Sequence, residues 1–441
     1  MYKYIEIEGL TYRHLKQLNS VLQQMIEPTR LQRVVFYDAQ LPLEKLAPTL
    51  FDLFPNVSEF TVAFKNDTLF RRRTEAEKFL KKSSKKYKLH HLWLQLRDDG
   101  FETGTNSVIA KQLIKKSPQL TQLFVESMAT TTHEDIIELW SVGHCPNLQV
   151  LGMTHYERIR QLLAHPIVKE IRNGNNDNKS SLKKIVTRQI QRQKGLRVLA
   201  ITENHIRYHY YDYVRIKRDI LKKVHTTLEL LFLESVYPSS HVTWPELFSC
   251  CTKDIWFPRL RHVILHLGKT CHSRSVFLAS LIGQNFENKL CHLLSRAPRL
   301  DNFTYRRDLR QTRYLEKETW ITDTLLQTLM DHCPALTTFR VAGCYQFSSN
   351  TLRQFIQAFK KQLKTVEFDC SMGGDDLRFV VQTVQYLEKI SIRHICCSQR
   401  HHFHNCPNIQ EMEGMNISAT WDGAFDITPL EGSHCALYDI F

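Results

Sequence analysis

Apolar residues recur along this chain in a two-part rhythm. In residues 320–347, WITDTLLQTLMDHCPALTTFRVAGCYQF, Leu325, Leu326, Leu329 and Met330 fall three and four apart, the spacing that lines one face of a helix. Thr322 and Asp323 stand where a helix N-cap belongs, and Pro334 stops the helix. Leu336, Phe339 and Val341 then mark a short strand, with Arg340 sent to the other side of the pleat, and Gly343–Cys344 closes the unit. A helix and a strand of this size each have one apolar face and cannot bury it alone. The unit therefore needs copies of itself to stack against.

Such copies are present. A leucine or its equivalent opens a strand at Leu31, Val57, Leu89, Leu120, Leu148, Leu196, Leu228, Leu260, Leu300, Leu336, Leu363, Leu387 and Ile409, at intervals of 22 to 48 residues. A stacked array whose core grows in one dimension suits 441 residues better than one globular core. The spread of intervals marks a diverged array with extra length at a few joints.

Residues 321–344, ITDTLLQTLMDHCPALTTFRVAGC, resemble the cysteine-containing leucine-rich repeat of F-box/LRR proteins, whose units read CPxLxxLxLxGC followed by ITDxxLxxL. Cys333, Pro334, Leu336, Phe339, Val341, Gly343 and Cys344 fill the first pattern; Ile321, Thr322, Asp323, Leu325 and Leu329 fill the second. Partial copies are HCPNLQVLGM at 144–153, NCPNIQEMEGM at 405–415 and SPQLTQLFV at 117–125. The resemblance implies an α/β leucine-rich-repeat solenoid of the ribonuclease-inhibitor-like horseshoe kind, with parallel strands on the concave face and helices on the convex face. It also implies the substrate-recognition half of an SCF-type ubiquitin ligase receptor, with a protein substrate on the concave face and no catalysis. An SCF adaptor would join only through an F-box. The segment LPLEKLAPTLFDLF at 41–54 resembles the opening of one, but Pro48 interrupts its helix and it runs straight into the strand PNVSEFTV. It reads as the helix of a repeat. The expected organisation is an N-terminal partial repeat over 1–30, the solenoid over 31–415 and a turn-rich C-terminal cap over 416–441.

Composition narrows the setting. The chain is 42% hydrophobic and 24% charged, with no apolar run of about eighteen residues, so a membrane partner is not indicated. Residues 1–10 lack the order of a secretory signal, and cysteines such as Cys145, Cys333 and Cys406 precede proline at packing positions, which points to a reduced cytoplasmic or nuclear setting. Lys plus Arg number 59 against 45 Asp plus Glu, a net charge of +14. Residues 67–88 carry nine of the basic residues against three acidic, and 207–223 interleave Tyr and His with Arg and Lys. These segments support an alternative, a nucleic-acid-associated repeat protein, beside the plainer reading of solvated helices and loops.

Phosphate-cradling glycine loops, the nucleophile elbow and zincin spacing are absent from the sequence, and no cofactor is expected. Cys396, Cys397, His401, His402, His404 and Cys406 offer soft ligands within eleven residues, but Cys406 belongs to a repeat signature, so no metal is assigned.

The pleat then names the concave surface, because residues between the core landmarks face it. The expected partner-binding residues are Tyr37, Trp93, Gln95, Phe124, Glu126, Phe232, Glu234, Ile264, His266, Arg306, Arg340, Glu367, Asp369 and Arg393. Tyr37, Trp93, Phe124, Phe232 and Ile264 are expected to stand exposed as apolar anchors, followed by a more charged C-terminal half. The alternative is that these side chains are covered by the chain's own loops, or that the register slips.

Overall fold

The computed structural model describes residues 4–9, 30–39, 56–64, 86–96, 111–127, 130–154, 156–174, 195–203, 220–235, 255–267, 276–307, 321–342, 345–369, 374–393, 415–419 and 424–429, with isolated positions at 17, 20, 24, 54 and 248. The chain forms two compact units, Met1–Ile216 and Lys217–Phe441. Each is an α/β leucine-rich-repeat array built on an open parallel sheet.

In the first unit the strands are β1 (Tyr4–Glu8), β2 (Arg33–Ala39), β3 (Glu59–Phe64), β4 (His91–Leu96), β5 (Gln122–Ser127), β6 (Val150–Met153) and β7 (Val198–Glu203), each parallel to the one before it. Its helices include α1 (Thr130–Ser141), α2 (Tyr156–Ala164) and α3 (Pro166–Gly174). The second unit continues the pattern with β8 (Leu230–Ser235), β9 (His262–Leu267), α4 (Val276–Leu294) and β10 (Asn302–Arg307). The fullest repeat follows, as β11 (Ile321–Thr322), α5 (Asp323–His332) and β12 (Thr338–Ala342). Then come β13 (Tyr345–Gln346), α6 (Ser349–Phe359), β14 (Thr365–Asp369), α7 (Gly374–Thr383) and β15 (Lys389–Arg393). The parallel series gives way to an antiparallel hairpin, β16 (Met415–Ala419) and β17 (Ala424–Pro429), with β17 antiparallel to β15.

Two devices hold the strands in step. The first is apolar. Leu92 and Leu94, Leu123 and Val125, Leu151 and Met153, and Leu199 and Ile201 are all buried on one side of the first sheet, so a one-residue slip would replace them with Trp93, Gln95, Glu126, Thr154 and Thr202 among others and break the aliphatic layer. The second is a fork of backbone hydrogen bonds that recurs before most of the parallel strands, in which two consecutive N–H groups donate to one carbonyl of the preceding repeat. His90 and His91 donate to Ser58, Thr121 and Gln122 to His90, and Gln149 and Val150 to Thr121. The same fork returns in the second unit, where Asp301 and Asn302 donate to Arg261, and Thr337 and Thr338 to Asp301.

The helices of the second unit lie on the landmark side of the sheet. Phe339 packs 6.2 Å from Phe303 and 4.7 Å from Phe355 of α6, and Phe286 of α4 lies 6.1 Å from Tyr305. Helix α5 forms as its sequence predicts: the Thr322 hydroxyl accepts from the Thr324 N–H at the N-cap, and Leu325, Leu326 and Leu329 are buried. Carboxylates tie each repeat to the next. Glu287 of α4 accepts from the Thr322 N–H at 2.6 Å, and Asp323 of α5 accepts from the Ser348 N–H at 2.8 Å.

Candidate binding face

The landmark residues commit one side of each sheet to helices, so the side chains between them share the opposite face. The parallel register lines them up. In the first unit Thr61 pairs with Trp93, Trp93 with Phe124, and Phe124 with Gly152. In the second, Phe232 pairs with Ile264, Ile264 with Thr304, Thr304 with Arg340, and Arg340 with Glu367. Two residues further along, and so on the same face, run Glu234, His266 and Arg306. Glu367, Asp369 and Arg393 keep the same alignment, Asp369 pairing with Arg393. The side chains of Asp369 and Arg393 lie outside the described residues.

Openness divides the predicted residues. Tyr37, Trp93, Gln95, Glu126, Ile264, His266, Arg306 and Arg340 are half-buried. Phe124 and Phe232, expected as exposed anchors, are instead 3% exposed each, and the carboxylates of Glu234 and Glu367 are buried with them. The cause for Phe124 is Gly152 on the next strand: a Cβ there would lie 2.5 Å from Cδ1 of the ring, so the missing side chain makes the space the ring fills. Phe232 is packed edge-on against His266, ring centres 5.3 Å apart.

Helix α3 covers part of this face in the first unit, where the sequence expected helices only on the convex side. The Gln122 side-chain amide donates to the Val168 carbonyl at 3.3 Å, and Arg172 reaches Glu59 at 2.7 Å. Glu59, His91 and Gln122 are the first residues of their strands and lie on the same side as Trp93. Ile167, Val168 and Ile171 of α3 are buried. Burial pushes the His91 imidazole down to about 4, opposed by the Glu59 charge and reinforced by Arg172 and His90. The sequence signal for α3 was the 48-residue gap between Leu148 and Leu196, with Ile167, Val168 and Ile171 at helical spacing inside it.

In the second unit the charged half is internally paired. Arg306 pairs along the sheet with Ala342, and its guanidinium crosses that small residue to reach Glu367 two strands away. The contact is bidentate, Nε to Oε1 at 2.8 Å and Nη2 to Oε2. Asp301 is gripped by Arg261 at 3.0 and 2.8 Å and lies 3.4 Å from His262, whose imidazole burial pushes down to about 4, with Arg261 adding to the effect.

No protein-family model matches the chain, and no curated protein does. Among solved structures, it is similar to a chain from the complex of Rad7 and Elc1 in yeast, at 12% identity and a TM-score of 0.37, covering 89% of this chain and 86% of that one. It is also similar to the leucine-rich-repeat-containing protein LegL7 from Legionella pneumophila, at 10% identity and a TM-score of 0.36, covering 88% of this chain and 91% of that one.

Among the described residues no group of three or more His, Cys, Asp or Glu is placed to hold a metal ion. Cys145, Cys291 and Cys333 are buried free thiols pushed up by burial to about 12, 11 and 12, far from thiolate reactivity. Cys145 and Cys333 have a packing role: their thiols donate to Ile114 and Leu294 carbonyls of the preceding repeats at 3.9 and 3.6 Å. Most of the basic segment 67–88, residues 207–219, the F-box-like segment 41–53 and the Cys/His cluster 396–406 lie outside the described residues. No helix among the described residues is long and apolar enough to cross a membrane.

Proposed function

We propose that this protein is a non-catalytic binding array whose strand face opposite the helices holds a protein partner, and that it serves as the substrate-recognition part of an SCF-type ubiquitin ligase. The observation that carries the first part is the set of half-open side chains on the strand face: Trp93 and Gln95 in one unit, with Tyr37 half-open on β2, and the in-step Ile264, His266, Arg306 and Arg340 in the other. Aromatic and aliphatic surface beside fixed charge is what a protein partner needs, apolar area for affinity and ion pairs for orientation. Asp369 and Arg393 extend the charged end, while Phe124, Phe232, Glu234 and Glu367 support the face from within. The ligase link rests on the likeness of residues 321–344 to the F-box/LRR repeat, and a cytoplasmic or nuclear setting is the one that fits it.

Two measurements test the two parts separately. Immobilised full-length protein should retain a purified SCF adaptor; no retention refutes the ligase link and leaves the binding array. Ile264→Lys and Arg340→Glu should abolish capture of the partners that wild-type protein takes from a lysate, with melting temperatures within about 2 °C of wild type. Undiminished capture by both variants would refute the assignment of this face.

A further inference from the structure

In the second unit, the edge where helices end and strands begin carries a row of cations that form no ion pair among the described residues. Each helix runs into a short turn that leads to the next strand, and parallel strands bring successive turns within about 5 Å of one another at the strand ends. Lys222, Lys223, Arg259, Arg299, Lys360 and Lys361 lie on these turns or in the last helical turn before them. Lys222, Lys223, Arg299 and Lys361 are exposed, and Arg259 and Lys360 half-buried. Of the described acids at this edge, Asp301 is paired with Arg261 at 2.8 Å and Glu388 with Lys364 at 2.9 Å, while Asp331 accepts from the neutral Gln327 amide at 2.9 Å.

An aromatic ring stands in the same row. Trp256 is 48% exposed, and the Arg296 guanidinium lies over it, 4.7 Å from the ring centre. Its backbone is held as well, by His225 Nδ1 at 2.9 Å from the Trp256 carbonyl. The negative end of a helix dipole accounts for lysines in a last turn, such as Lys222, Lys223 and Lys360. It does not account for Arg259 and Arg299, which follow Pro258 and Pro298 at matched points of two successive turns, or for a large ring left in water beside them.

We propose that this edge binds single-stranded nucleic acid, at a site separate from the strand face assigned to a protein partner. A row of unpaired cations follows a phosphate backbone, and a fixed, half-open indole offers a platform on which an unpaired base stacks, an interaction every base can make. An acidic peptide would use the charges and leave Trp256 without a role. A duplex keeps its bases stacked on each other, away from the ring.

The test uses the full chain and a fluorescein-labelled twenty-nucleotide oligothymidylate, with binding followed by anisotropy between 50 and 300 mM KCl. Six phosphate contacts give a slope of log K against log salt of about −4 for a single strand. Lys360→Glu with Lys361→Glu removes two contacts, so the slope falls to about −3 and affinity at 100 mM drops more than tenfold. Trp256→Ala weakens binding about tenfold with the slope unchanged, and Trp256→Phe restores most of it. Thermal melts matching wild type confirm that the variants fold. A slope near zero, indifference to both sets of variants, or displacement of the oligonucleotide by polyglutamate at equal charge overturns the proposal.

Discussion

Replacing Gly152 by Ala puts a methyl group where Phe124 already is. The new Cβ would lie 2.5 Å from Cδ1 and 3.0 Å from Cε1 of the ring, well inside contact distance. A ring only 3% exposed has no open side to swing into. Overpacking of this kind costs about 2 kcal/mol. Phe124→Ala alone removes a buried ring and costs about 3 to 4 kcal/mol. In the double variant the methyl group of residue 152 enters the space the ring vacated, so the two costs do not add, and the coupling should be about 2 kcal/mol. Urea denaturation of the wild type, both single variants and the double variant, with midpoints compared at equal m, measures it. Costs that add to within about 0.5 kcal/mol, or a neutral Gly152→Ala, would refute the packing described for this face. The same series decides the status of Phe124: an exposed anchor would lose less than about 0.5 kcal/mol on truncation.

The charged half of the face should respond differently. Arg306→Met strips Glu367, 1% exposed, of its bidentate partner and should cost about 3 kcal/mol, while Arg306→Met with Glu367→Leu should recover most of the loss in urea melts. Stability should also fall in mild acid. Unfolded His91 and His262 take up a proton near 6.5, but the folded chain refuses it until about 4, so stability drops as pH falls from about 6.5 to 4 and loses nothing more to these groups below that. The loss is up to about 3 kcal/mol for each, and His91→Gln or His262→Gln should flatten the slope of urea midpoint against pH. Ser348 caps α6 by accepting from the Thr351 N–H at 3.2 Å, and Ser348→Ala should cost about 1 kcal/mol in the same assay.

The strands and their alignment were legible in the sequence because both follow from local alternation. Leu92 and Leu94 or Phe339 and Val341 can be buried only if the residues between them face the other way, and that parity placed Trp93 on the strand face of the first unit and Ile264, Arg306 and Arg340 on that of the second. Parity names a face without saying what lies over it. That Phe124 is sunk above Gly152, that Arg306 spans Ala342 to Glu367, and that α3 sits across Glu59, His91 and Gln122 depend on residues brought together from as far as 113 positions apart. Local alternation in the sequence set the repeat and the side to which each strand residue points, but it left α3 on the wrong side of the sheet. Tertiary packing alone decided which of those side chains remain open to a partner, since exposure belongs to the neighbours a residue meets in space and only its direction belongs to the residue.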